Sequence, residues 1–398
     1  MTISRRRGLR RTQACIASFA SFASFASFAS FASFASFVAF TSVASAQEWS
    51  PVRDGYPWSF PRDHYSHPAY KTEWWYFTGQ LVDDADTTRR FGYQFTFFRV
   101  GVAPNQPRPG SDWSAQMLIM GHAAVGDFGA RRHYFSEVLY RAIPMLGAFR
   151  PEGDTLIAWS RGPAGTAETW RLRWADTGFA FSMADERQGI AFDLHTRAER
   201  PLVLQGPGGV SRKGASENAA SLYYSMTRLA TSGTMTIDGR TFRVRGRSWM
   251  DKEFGSNQLE RGQKGWDWFS LQLEDGRDLM LYMLRDTLGA TSWASGTIVG
   301  RDGSVRYLDR GQFIVRPTAE WTSDSSGARY PSQWTIEVPG EQLSIDVRPV
   351  MPDQENRSRM LRLLFYWEGA VLVTRNGQRF GQGYVELVGY GRGMRPAL

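Results

Sequence analysis

Cysteine is almost missing from this chain: Cys15 is the single one in 398 residues. No disulfide framework can staple the fold, and beyond residue 15 neither a thiolate nucleophile nor a cysteine metal centre is available. A Gly-x-Ser-x-Gly elbow is also lacking, so nothing local supports a hydrolytic serine. Lysine is scarce, four residues against 43 arginines. After residue 46 no segment keeps a helical apolar period for a dozen positions. The best helix candidate is short, at 356–364, with Asp353 or Asn356 as its cap. No clustered basic stripe of the kind nucleic acid requires is present. Gly206-Pro207-Gly208-Gly209 has neither a Gly-Lys-Ser/Thr pattern nor a following helix, so 205–214 reads as a plain surface loop, not a phosphate cradle.

What is present begins with a leader. Arg5, Arg6, Arg7, Arg10 and Arg11 precede a Ser-Phe-Ala tract at 18–37, and Ala44-Ser45-Ala46 stands before Gln47. That is the pattern of a signal peptide cleaved after Ala46, and it predicts a periplasmic or secreted protein. The apolar tract exceeds the usual ~7–15 residues, which leaves an uncleaved membrane anchor as the alternative. Without the leader the formal charge falls from +8 to +3, 42 basic residues against 39 acidic ones.

The remainder repeats itself. Trp74-Trp75-Tyr76-Phe77-Thr78-Gly79-Gln80-Leu81-Val82-Asp83-Asp84 aligns with Trp266-Asp267-Trp268-Phe269-Ser270-Leu271-Gln272-Leu273-Glu274-Asp275-Gly276, five of eleven positions being identical. His122-Ala123-Ala124-Val125-Gly126 then aligns with Gly296-Thr297-Ile298-Val299-Gly300. Copies this far apart imply two tandem domains of one architecture, not a short-period solenoid. Asp238-Gly239, Asp275-Gly276, Asp302-Gly303 and Asn376-Gly377 lie between alternating strand-like runs and supply the positive φ angles of type I′ hairpins. A second long loop is expected at 103–110. The class is all-β, a sandwich or an antiparallel barrel.

Four groups of residues, in this order, resemble the AttH-like and carotenoid 1,2-hydratase family of secreted double-lipocalin-like proteins. They are His67-x-x-Tyr70-x-Thr72-Glu73-Trp74-Trp75-Tyr76, Tyr223-Tyr224-Ser225-x-Thr227-Arg228, Trp249-Met250-Asp251-x-Glu253-Phe254, and Gly383-Tyr384-Val385-Glu386-Leu387. The resemblance implies two tandem lipocalin-like antiparallel β-barrels, expected at 47–254 and 255–398. A small barrel can hold one hydrophobic ligand in its mouth, and 14% aromatic residues suit such a cavity. The hydratase branch adds water to a carbon–carbon double bond. It carries Asp-His-x-Trp where this chain has Asp251-Lys252-Glu253-Phe254, and Tyr-x-Asp where it has Tyr282-Met283-Leu284. The histidine, the tryptophan and the second acid are all replaced here, which argues against carotenoid hydration itself.

Asp251, Lys252, Asp267 and Tyr282 are the candidate catalytic residues. Trp74, Trp75, Tyr76, Tyr224, Trp249, Phe254, Trp266 and Trp268 are the candidate ligand wall. Lys252, flanked by two acids, is a proton carrier if buried; the preferred reading is a solvated charge triplet. Asp267 must point away from Trp266 and Trp268 on a strand. It is either a cavity acid or the partner of an arginine. Glu73 leans structural, His64 and His67 read as hydrogen-bonding pegs, not metal ligands, and His122 as an interior polar contact. Glu386 is expected to pair with a buried arginine, or else to line a site. No cofactor and no metal are expected.

Three functional classes follow. The first is a binding protein for a hydrophobic small molecule such as a lipid or isoprenoid, with an ABC-type membrane transporter as candidate partner. The second is an enzyme on an unsaturated apolar substrate, a hydro-lyase, isomerase or cyclase, needing an acid inside the cavity. The third is a purely structural module. Nucleic acid is not an expected partner.

Overall fold

A computed structural model describes residues 48–102, 104, 115–361 and 364–391. The leader with Cys15, and nearly all of the loop expected at 103–110, lie outside the described residues. The chain forms two antiparallel sheets. The first opens with β1 (Thr72–Asp83), β2 (Arg90–Gly101), β3 (Met117–Asp127) and β4 (Arg132–Arg141). It continues through β5 (Gly147–Phe149), β6 (Leu156–Arg161), β7 (Thr169–Ala175), β8 (Gly178–Asp185) and β9 (Ile190–Ala198). It ends with β10 (Val203–Leu204), β11 (Val210–Arg212), β12 (Ala220–Ile237) and β13 (Arg240–Asn257). The second comprises β14 (Gln263–Leu273), β15 (Asp278–Asp286), β16 (Thr291–Val299), β17 (Val305–Asp309) and β18 (Ile314–Thr322). To these it adds β19 (Arg329–Val338), β20 (Leu343–Pro349), β21 (Glu355–Arg357), β22 (Phe365–Arg375) and β23 (Gln378–Leu387).

The strand orders are β4-β3-β2-β1-β13-β12-β9-β8-β7-β6-β5 and β17-β16-β15-β14-β23-β22-β20-β19-β18. Each sheet therefore starts from the fourth strand of its own copy, and β1 corresponds to β14, β3 to β16 and β13 to β23. Both aligned sequence pairs fall on these matching strands. The first sheet nearly closes into a barrel, its β4 edge held by the Tyr140 hydroxyl donating to the Gly162 carbonyl just past β6, at 2.6 Å. Phe77, Phe95, Phe181, Phe192 and Trp170 fill its interior with one another, Phe95 stacking on Phe181 at 5.1 Å. The second sheet encloses a smaller core around Phe269, Trp334, Ile336, Val371 and Val385.

Two of the four Asx-Gly pairs form the expected turn, with positive φ at both positions: 48° and 80° at Asp238-Gly239, 53° and 76° at Asn376-Gly377. At Asp275-Gly276 and Asp302-Gly303 only the glycine is positive, and the connections are longer. The helix expected at 356–364 is not there; Glu355–Arg357 is strand β21, paired with β22. Its side chains are committed to tertiary bonds, Glu355 accepting from Ser323 and Tyr330 and Asn356 from His133, so a helical turn gains nothing. Residues 362 and 363 lie outside the described residues. The 205–214 segment is likewise no plain surface loop, because β11 pairs with β12 and Lys213 is buried.

Candidate functional site

Strand alternation decides which side chains meet. On β13, Met250, Lys252 and Phe254 point to the first barrel's interior and its base, while Trp249, Asp251 and Glu253 point outward. The outward face does not meet water. It meets the outward face of the second sheet, and Tyr76, Tyr223, Trp249, Trp268, Met280, Tyr282 and Tyr384 form one cluster along that seam, edged by Trp74, Trp266 and Trp293. Tyr76 and Trp268, which occupy equivalent positions in the two copies, meet edge to face at 5.2 Å. Gln80 donates across the seam to the carbonyls of Val371 and Gly383, at 2.9 and 3.1 Å. Its counterpart Gln272 donates the other way, to Thr227 and Ser248, at 2.7 and 3.0 Å. The seam is thus an approximately twofold contact between two copies within one chain.

The register extends that equivalence to acids. Asp251 stands opposite Tyr76, and Glu386 stands opposite Trp268. Glu386 is therefore the second copy's Asp251, an equivalence that the aligned segments do not contain. Asp251 accepts from the Tyr223 and Trp249 side chains, both at 2.7 Å, and from Ser225 at 2.5 Å. Burial pushes its carboxyl up and these three donors pull it back, leaving it at about 7. Among the described residues Glu386 accepts only from the Trp266 indole, at 2.9 Å. Burial raises it too, Trp266 lowers it, and the charges of Asp251 and Glu253 raise it further, again to about 7. Directly across the ladder lies Glu368, fully buried and bonded to Asn356 at 3.1 Å. Burial and then Glu386 hold Glu368 well above the carboxylate range. Among the described residues no arginine pairs with Glu386, contrary to the expectation. Where the sheets close on each other, a tryptophan took the place of a counter-ion.

Tyr282 joins the same seam, held by the Arg212 carbonyl at 2.5 Å, with the Lys213 ammonium 4.3 Å above its ring. Lys213 also binds Glu253 at 2.8 Å, a pair that sequence reasoning missed because Lys213 was assigned to a surface loop. His122 faces the seam as well, bonded to Tyr366 at 2.7 Å, and burial lowers it to about 4.

The other sequence candidates lie elsewhere. Asp251, Lys252 and Glu253 are no solvated triplet: all three are buried, on opposite faces of β13. Lys252 is fully buried at the base of the first barrel, over the Trp75 ring at 3.8 Å and ion-paired with Glu73. Burial lowers it to about 8. Burial also pushes Glu73 up, but Lys252, Arg99 and His67 outweigh it and hold that carboxyl well below the ordinary range. His67 bridges Glu73 and Asp63, and His64 bonds Tyr224 at 2.6 Å, so both act as pegs. Trp75 and Tyr224 belong to this interior, and Phe254 stacks on His67 at 3.7 Å. Asp267 takes the arginine reading: it binds Arg285 at 3.0 Å and Tyr390 at 2.9 Å. That pair also floors a cavity of about 480 Å³ in the second barrel, walled by Met283, Phe313, Ile314 and Trp334.

The family described as AttH-like matches residues 51–390. A crystal structure from Nitrosomonas europaea that carries the AttH designation superposes with a TM-score of 0.75 at 31% identity, over 86% of this chain and 100% of its own. Kievitone hydratase from Nectria haematococca shares the fold, with a TM-score of 0.61 at 12% identity, over 87% of this chain and 97% of its own. The dehydratase asqC of Emericella nidulans is 27% identical over 178 residues, 42% of this chain. That match spans 48%, about half, of the dehydratase's length.

Proposed function

The chain belongs to the AttH-like family, and from that premise we propose that it adds or removes water at an unsaturated or hydroxylated apolar molecule held at the seam. The observation that carries this is a set of three acids on an aromatic wall, Asp251 and Glu368 buried and Glu386 partly exposed, none of them ion-paired with a cation among the described residues. A carboxylic acid kept protonated near neutral pH is what an alkene or a departing hydroxyl needs. Glu386 is the partly exposed member of the set, beside the partly exposed Trp74, Trp266 and Trp293. In hydration its proton goes to an alkene carbon, and the tryptophan faces support the cation. Water then adds its oxygen and returns one proton to Glu386. In elimination the same steps run backwards. No oxidant, reductant or cofactor enters the balance. Asp251 acts through Glu386, keeping it protonated, and is a positioning residue. The dehydratase relative supports the direction of this reading.

Assay against acyclic isoprenoid alkenes and the matching tertiary alcohols, following gain or loss of water by mass spectrometry, tests it. Glu386→Gln should lower turnover by roughly 10²–10⁴, the usual range for a general acid, while quenching of tryptophan fluorescence by the ligand survives. Undiminished turnover in Glu386→Gln would refute the assignment. Binding without turnover in the wild type would favour the second reading, a carrier of an apolar ligand beside an ABC-type transporter. The three donors that saturate Asp251 are what favours that reading. Export rests on the arginine-rich leader, and N-terminal sequencing of the native protein should begin at or near Gln47; a start at Met1 or Thr2 would contradict it.

A further inference from the structure

At the Gln80 end of the seam the aromatic wall gives way to a groove of about 970 Å³ lined by Arg90, Arg197, Arg228, Arg245, Arg247 and Arg379. Four of these guanidiniums have a carboxylate. Arg247 binds Glu199 at 3.0 Å, Arg379 binds Glu274 at 3.1 Å, Arg245 binds Asp84 at 2.9 Å and Arg228 binds Asp278 at 2.8 Å. Arg90 and Arg197 have none among the described residues. Arg90 is half-buried, and its side chain makes a single long hydrogen bond, to the Gln80 amide oxygen at 3.3 Å. Burial lowers its pKa, and the charge of Arg379 lowers it again. Arg90 stands on β2 of the first barrel and Arg379 on β23 of the second, so the two copies bring like charges together in a place partly withdrawn from water. Such an arrangement costs free energy until an anion neutralises it.

We propose that this groove binds a phosphoryl group, on a soluble compound or on a lipid headgroup. The guanidinium of Arg90, without a counter-ion, and that of Arg379 flank the Gln80–Gly383 crossing from the two sheets, and their forked N–H donors match a phosphoryl group's oxygens in shape. The inference stands apart from the water chemistry proposed for the acids, and either can fail alone.

Calorimetric titration of the full chain with inorganic pyrophosphate at low ionic strength tests the soluble form. Co-sedimentation with phosphatidylglycerol vesicles, against phosphatidylcholine vesicles, tests the lipid form. One of the two should bind. Arg90→Gln and Arg379→Gln should each weaken that binding roughly tenfold, the loss of one charged hydrogen bond. Arg171→Gln, an equal loss of charge on the exposed face of β7, should leave it unchanged. Arg379 is exposed, so its variant keeps the test valid even where Arg90→Gln fails to fold. Binding of neither probe, or equal weakening by Arg171→Gln, would overturn the proposal.

Discussion

Withdrawal from water without a counter-charge among the described residues sets Asp251, Glu368 and the partly exposed Glu386 apart from Glu73, which is fully buried but surrounded by cations. The two situations respond oppositely to pH and to mutation. Asp251 and Glu386 have folded pKa values raised to about 7, so the stability they contribute is complete below their unfolded values near 4. It is lost as pH rises through about 7. Denaturant midpoints followed from pH 5 to 8 should therefore fall more in the wild type than in an Asp251→Asn, Glu386→Gln double variant. Under the proposed reaction the same protonation would govern turnover: kcat/KM should be level at acidic pH and decline above about 7. Asp251→Asn should move that inflection lower, since one of the charges raising Glu386 is gone, and an unmoved inflection would remove Asp251 from its positioning role. Glu73→Gln takes the carboxylate from between Lys252, Arg99 and His67. Stranding buried cations should cost about 3–5 kcal/mol by urea denaturation; a cost under about 1 kcal/mol, the scale of an exposed pair, would show that the cluster is solvated after all. Three charged residues in a row read as solvated from sequence. Strand alternation sends the middle one to a different core from its neighbours, and no local signal says that both cores are dry.

At the scale of elements, β1 and β14 organise the molecule. Each is the aromatic strand of its copy, and each sends its glutamine into the other sheet. The duplicated segments were legible in the chain because Trp, Phe, Gln, Leu and Asp recur at matching places, and the strands around them because alternation and Asx-Gly turns mark their ends. The pairing of β14 with β23 was not legible, since it joins residues about 120 apart, and that pairing is what makes Glu386 the counterpart of Asp251. Alternation correctly placed Asp267 opposite its tryptophans but could not say which face was the seam. Gln80→Ala and Gln272→Ala each delete two buried hydrogen bonds across the seam, about 1–3 kcal/mol apiece at the usual net value. Chemical denaturation should find the two losses similar in size. A large loss for one and none for the other would contradict the twofold character of the contact.

On the scale of the whole molecule, the seam is where a double barrel can do what one barrel cannot. The first barrel's interior is filled by its own rings, and two of the three positions that distinguish the hydratase branch, Lys252 and Phe254, serve that interior and its base. The third, Leu284, lies in the seam cluster, where an apolar side chain stands in place of that branch's second acid. The first two substitutions therefore leave Asp251, Glu368 and Glu386 in place at the seam, which was only partly visible in the sequence. Trp74, Tyr76, Trp249, Trp266, Trp268, Asp251 and Tyr282 do converge there, while Trp75, Tyr224, Phe254, Lys252 and Asp267 do not. Addition or removal of water at the seam, as proposed, has one direct test. The most direct measurement incubates the protein with an apolar extract of the cells that make it, in water enriched in oxygen-18, and follows every component by mass spectrometry. The expected result is a substrate and product differing by one water, carrying the heavy oxygen when water is added, formed by the wild type and at least a hundredfold more slowly by Glu386→Gln. An extract left unchanged by the wild type, or changed equally by the variant, would contradict it.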